Sequence, residues 1–210
     1  MNKFVLMIAA AMLLGLLVML AITPDQSAVN SDLEQAVAAS WPNLNPELQA
    51  RLDQDETMRI CSASRNAPPP EVAQAIVARE KASIVYPMSG KFTGDWKAGE
   101  SGALSGYGFR MRDDPKKPAG GNCYACHQLA PAEISYGTLG PSLLGYGQIK
   151  GNTPEAQKEV YERIFNPHSV LACSNMPRFG HNKVLTPEQI TDYVAFLLDP
   201  NSPVNSQAAE

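Results

Sequence analysis

Cys123-Tyr124-Ala125-Cys126-His127 gathers two thiols and one imidazole within five consecutive residues. On a helical turn, positions three and four apart share a face, so both thiols and the imidazole project together. Two thiols so placed can bond to the two vinyl groups of one porphyrin while the neighbouring imidazole reaches its iron. Cys-x-x-Cys-His is accordingly the attachment signal for one covalent haem c. Two other chemistries use the same letters. A thiol–disulfide redox pair wants its Cys-x-x-Cys at the start of a helix that follows a strand, whereas the preceding Asp-Pro-Lys-Lys-Pro-Ala-Gly-Gly-Asn reads as a loop. Structural zinc wants a second, closely spaced ligand pair, and Cys61, His168, Cys173 and His181 are scattered.

The other side of the iron needs a ligand, and the chain has three histidines in all. His168 and His181 compete there with the methionines. Met176 is favoured because it lies in Cys173-Ser-Asn-Met-Pro-Arg-Phe-Gly180, a loop punctuated by proline and glycine where a thioether can approach iron without filling a core. A His127/Met176 pair raises the reduction potential and fills both axial positions, which suits passing electrons over binding oxygen. Pro141 has a carbonyl but no N–H. Either it accepts from His127 Nδ1–H, leaving Nε2 for iron, or Gly140-Pro141 is an ordinary turn. Four cysteines in an oxidising compartment divide into two haem thiols and one pair, Cys61 with Cys173. That bridge would tie the front of the chain to the Met176 loop; the alternatives are two free thiols, or Cys61 acting as a redox or intermolecular partner.

The elements that must position these groups read as helices throughout, so the expected class is all-α. Residues 1–22 hold Lys3 and then an apolar run, Phe4 to Ile22. The run exceeds the core of about 7–15 residues of a cleaved signal and approaches the roughly 20 that span a bilayer. Export follows, with the segment either removed as a signal peptide or kept as a membrane anchor. Residues 23–91 carry three short helical patterns, opened at Ser31-Asp32, Asn45-Pro46 and Pro68-Pro69-Pro70. Their apolar stripes are too thin for a core of their own, so they read as an extension covering the next domain or a partner.

That next domain spans 92–205, leaving 206–210 as a tail. Gly94 to Leu104 reads as a helix despite three glycines. Each costs about 1 kcal/mol against alanine in a helix, which points to a close helix crossing. The natural partner is the last helix, opened by Thr186-Pro187-Glu188-Gln189 as a capping box. Its Ile190, Tyr193, Val194 and Leu197 recur at helical spacing on one face. Between them, Thr153-Pro154 opens a helix bearing Val160, Tyr161, Ile164 and Phe165. The net charge of −4, with no basic stripe and no glycine-rich phosphate loop, gives no sign of a nucleic-acid partner, and none is expected. Arg110, Arg112, Lys116 and Lys117, with Arg178 beside Met176, form a candidate docking rim for an acidic redox partner, diluted by Asp113 and Asp114.

Five segments carry a more specific resemblance. They are Phe92-Thr-Gly-Asp-Trp-Lys-Ala-Gly-Glu100, Gly120-Gly-Asn-Cys-Tyr-Ala-Cys-His-Gln-Leu129, Gly137-Thr-Leu-Gly-Pro-Ser-Leu-Leu-Gly-Tyr-Gly147, Cys173-Ser-Asn-Met-Pro-Arg-Phe-Gly180 and Asp199-Pro-Asn-Ser-Pro-Val-Asn205. Over about Phe92 to Asn205 the chain resembles SoxX, the small monohaem subunit of the SoxAX cytochromes of the sulfur-oxidising (Sox) pathway. The resemblance implies a class I cytochrome c fold carrying an N-terminal helical extension. His127 and Met176 would be its axial ligands, and Cys123 and Cys126 its thioether anchors. It implies a larger haem subunit, SoxA-like, as partner and a SoxYZ-like carrier protein as transient partner, in the periplasm. The joint reaction, that of an L-cysteine S-thiosulfotransferase, couples thiosulfate oxidatively to a carrier cysteine. This chain would be the non-catalytic subunit that takes the released electrons and hands them to a downstream acceptor. The extension before Phe92 lies outside the resemblance. The alternative is a free-standing periplasmic electron shuttle, for which a compact domain without that extension is expected.

Overall fold

The computed structural model describes residues 26–110 and 112–206. The apolar run Phe4 to Ile22, expected as signal peptide or anchor, and residues 207–210 of the tail lie outside them. Among the described residues there are α-helices and 3-10 turns and no strand, which agrees with the all-α expectation. No helix among them is long and apolar enough to cross a membrane.

The chain divides into two compact units, residues 1–54 and 55–210. In the first, α1 (Gln26–Ser40) begins earlier than the Ser31-Asp32 signal. It ends where Trp41 N–H reaches Val37 O at 3.2 Å, just before Pro42. Helix α2 (Pro46–Leu52) starts with proline in its first turn, where the missing N–H is no loss. Leu33 and Trp41 are exposed, as expected of stripes too thin to build a core.

The second unit starts at Asp55, so residues 55–91 of the expected extension pack with the segment that follows Phe92. Helix α3 (Glu56–Ala63), which the sequence patterns missed, opens on Asp55, whose carboxylate accepts from Met58 N–H at 2.8 Å. Helix α4 (Pro70–Ala82) follows and buries Ile76 and Glu80. Both helices are thin on their own. They belong to the second unit because Cys61 of α3 is bonded to Cys173, with Ile76 packed beside the bridge.

The main core is built on α7 (Pro154–Phe165) and α8 (Pro187–Leu198). Val160, Tyr161, Ile164 and Phe165 pack against Ile190, Tyr193, Val194 and Leu198. Each such side chain taken from water contributes roughly 1.5–3 kcal/mol. Thr186 and Gln189 form the expected capping box, Gln189 N–H donating to Thr186 Oγ1 at 3.2 Å and Thr186 N–H to Gln189 Oε1 at 3.0 Å.

Helix α5 (Trp96–Ala103) starts on Asp95, whose side chain accepts from Lys97 N–H, and crosses α8. The glycines make this crossing close. A Cβ at Gly99 would lie 2.1 Å from Asp192 O of α8, and one at Gly102 would lie 2.4 Å from the Tyr193 hydroxyl. The short α6 (Tyr146–Lys150) is fastened to the end of α8 by Asn205. Its Oδ1 accepts from Gly147 N–H at 2.7 Å, and its Nδ2 donates to Leu197 O and Asp199 O. Asn205 is buried, so these partners satisfy an amide that would otherwise oppose folding.

Candidate functional site

Helix α5 places the cysteine motif. Where its backbone ends, Gly121 N–H donates to Gly102 O at 2.9 Å and Asn122 N–H to Ser105 O at 3.0 Å. A Cβ at Gly120 would sit 2.1 Å from Ser105 O, so only glycine lets the two chains run this close. Asn122 then takes the left-handed conformation, φ 50°, and turns the chain into a single 3-10 turn, Cys123–Ala125. The motif is therefore not a stretch of α-helix. His127 N–H still reaches Cys123 O at 2.9 Å, which keeps the imidazole one turn from the first thiol.

Neither Cys123 nor Cys126 is bonded to another cysteine, and both are half-buried. Cys123 packs against a small core of Ala103, Leu129, Phe196 and Val204. Burial pushes its thiol up to about 12, with the Cys126 thiol adding to the effect. A thiol–disulfide oxidoreductase needs the opposite, a nucleophilic cysteine whose thiolate is favoured near neutral pH.

His127 is oriented from the loop 137–143, which runs beside the motif through Gly137 N–H to Tyr124 O and Gly140 N–H to Cys126 O, both 2.8 Å. Pro141 O accepts from His127 Nδ1–H at 2.7 Å, so of the two sequence readings of Pro141 the structure takes the acceptor. A Cβ at Gly140 would lie 2.2 Å from His127 Cε1; the ring rests directly on this glycine. With Nδ1 protonated, Nε2 carries the lone pair.

Met176 lies on a separate loop, half-buried against the core of α7 and α8. Its loop is pinned at several points. Cys173, in left-handed backbone at φ 58°, bonds to Cys61 across 112 residues of sequence. Gly180 and His181 N–H both donate to Phe165 O at the end of α7, at 3.0 and 3.1 Å. The two competing histidines are occupied elsewhere. His168 is buried and donates Nε2–H to Ser174 O at 3.0 Å. His181 lies against Arg178, with Asp55 at 3.8 Å and Glu80 at 4.0 Å.

Arg178, grouped in the sequence with an exposed basic rim, is instead buried at 6 % exposure. It pairs with Asp55 at 2.6 Å and Glu80 at 3.6 Å; two carboxylates beyond the reach of sequence reasoning draw it inward. Of the rest of that rim, Arg112, Lys116 and Lys117 are exposed, and Arg110 is tied to Asp113 at 3.2 Å. Glu80 also accepts from Thr57 and, at 2.7 Å, from Asn166 Nδ2. Burial alone would raise its carboxyl, but these hydrogen bonds and the Arg178 charge outweigh it and hold it below the ordinary value. Asp55 is likewise held low, Met58 N–H and Arg178 outweighing burial. Both histidines are pushed down, chiefly by burial, with the Arg178 charge adding to it.

The molecule is thus an all-α protein that presents two unbonded cysteines and an oriented histidine on one turn, with a disulfide-tethered methionine loop apart from it. No family model matches the chain. It is 46% identical over 157 residues to an uncharacterized lipoprotein of Aquifex aeolicus (strain VF5), covering 72% of this chain and 73% of that protein. The chain belongs to the family of that lipoprotein.

Proposed function

We propose that this protein is an exported c-type monohaem electron-transfer subunit with the class I cytochrome c fold. His127 and Met176 would be its axial ligands and Cys123 and Cys126 its thioether anchors. The observation that carries the reading is the His127 tautomer: Pro141 O takes the Nδ1 proton, and the ring on Gly140 presents Nε2 beside two unbonded thiols. The residues fit a covalently held haem, because thiol, imidazole and thioether are the donors that haem c uses. Bound haem c supplies a one-electron iron centre. The chain's own residues attach it, orient the imidazole through Pro141, and offer the Met176 sulfur from a loop held at Cys173 and Arg178.

The resemblance of residues 92–205 to SoxX supports pairing with a larger, SoxA-like haem subunit. In that pair, coupling thiosulfate to a cysteine of a SoxYZ-like carrier releases two electrons, and the larger subunit does the chemistry. This chain would accept electrons and pass them on. Its relative's name, lipoprotein, supports export and attachment at a membrane. The apolar run Phe4 to Ile22 is the segment that would direct that export, removed as a signal peptide or kept as an anchor.

Purification from periplasmic and membrane fractions tests the reading. One pigment should survive extraction with acidified organic solvent and add the mass of one haem, and a larger haem subunit should accompany it. A pigment without a partner leaves the free-standing shuttle; protein without attached pigment ends the proposal.

A further inference from the structure

Loop 173–181 is held far more firmly than a connection of its length requires, and its ties surround one residue. Before Met176 come the Cys61–Cys173 bond, the His168 bond to Ser174 O, and Asn66 Nδ2 donating to Asn175 Oδ1 at 3.2 Å. After it come Arg178 and the two bonds to Phe165 O. Arg178 stands out chemically. Stability alone gives little reason to bury it, since an apolar side chain of similar volume often serves as well or better than a buried ion pair. What a guanidinium adds is a rigid fork that can address two carboxylates at once in fixed directions. Here Nη1 meets Asp55 at the start of α3, and Nη2 faces Glu80 on α4. Glu80 is itself held from α3 by Thr57 and from the end of α7 by Asn166. Three helices therefore fix the position of a residue two places from Met176.

We propose that Arg178 is a positioning residue for the Met176 thioether: clamped between Asp55 and Glu80, it sets the loop so that the sulfur is held on the iron against competing ligands. The inference rests on the proposed His127/Met176 ligation. A structural role alone would lower melting temperature while leaving the iron's ligands unchanged in the folded protein. A positioning role loosens the sulfur within an intact fold.

The test uses the ferric holoprotein, titrated with imidazole while the near-infrared sulfur-to-iron charge-transfer band is followed. Arg178→Gln should keep one covalent haem and native circular dichroism, lose most of the band, and bind imidazole about tenfold more tightly. Arg178→Lys, which keeps the charge without the fork, should fall between. If Arg178→Gln fails to fold because Glu80 is left buried without a partner, the double variant Glu80→Gln/Arg178→Gln removes that charge and should show the same gain in imidazole affinity. A band intact in every folded variant, with imidazole affinity within about twofold of the unsubstituted protein, overturns the clamp. Absence of the band from the unsubstituted protein overturns the Met176 ligation and the clamp with it.

Discussion

Replacing Gly99 by alanine probes the helix crossing that aims α5, and through it the cysteine turn. The new Cβ would lie 2.1 Å from Asp192 O and 2.8 Å from Phe196 Cβ, where ordinary contact begins at 3.4 Å. The nearest obstacle is backbone, so no side-chain rotation relieves it and the helices must part by roughly 1 Å. Overpacking of this kind costs about 1–3 kcal/mol, and the rigid obstacle places it at the upper end. Alanine returns about 1 kcal/mol of helix propensity. The net loss is then about 1–2 kcal/mol, or about 3–7 °C in melting temperature for a unit of this size. Thermal unfolding followed by far-UV circular dichroism measures it. Ser101→Ala, on the exposed side of the same helix, is the control and should raise stability by a few tenths of a kcal/mol. A Gly99→Ala protein as stable as that control would show that α5 and α8 are not in backbone contact.

Acid should weaken the fold in two stages. His168 and His181 have folded values below the ordinary 6.5, so the unfolded chain takes up their protons first and stability falls as pH drops below that value. Asp55 and Glu80 have folded values below the ordinary 3.8 and 4.5. Their contribution is complete above those values and disappears as pH falls through the folded ones; urea midpoints measured from neutral pH downward should decline in both windows, and a flat profile between 6.5 and 5 would exclude buried neutral histidines. Reducing the Cys61–Cys173 bond should lower unfolding free energy by about 2–4 kcal/mol, below the roughly 5 kcal/mol that chain entropy alone assigns to so long a loop. Denaturant curves with and without reductant measure it, and coincident curves would show that the bridge carries no stability.

Much of this architecture was legible because its signals are local. The capping box at Thr186, the stripe of α8 and the glycines of α5 each act within one or two turns, and the structure places them together as the sequence implies. Helix α3 was not legible. It is 8 residues long and buries only Thr57 and Cys61, and what retains it is a bond to Cys173 and a hydrogen bond to Glu80. The signal available was the Asp55-Glu56 start, a cap followed by an acidic first turn. Arg178 was misread for the same reason. Beside Met176 and proline it looks like loop charge, and only Asp55 and Glu80, each about a hundred residues distant, draw it inside. The motif's 3-10 turn was hidden too, since it follows from where Gly121 and Asn122 meet Gly102 and Ser105.

The two halves of the candidate site are held by different physics. On the His127 side the restraints are backbone hydrogen bonds, Pro141 O and glycines against which a ring or a carbonyl rests. Charge enters here through Glu133, whose carboxylate accepts from Leu129 and Ala130 N–H at 2.6 and 3.1 Å, and no disulfide is among these restraints, so acid has less to act on than in the methionine loop and reductant has nothing. On the Met176 side the restraints are a disulfide, two carboxylates, an arginine and two histidines, His168 buried and His181 half-buried. These respond to acid, to salt when water enters, and to thiols. Perturbation by any of these agents should therefore free the methionine loop while the histidine turn stays ordered, and the order of loss follows from which bonds hold each loop.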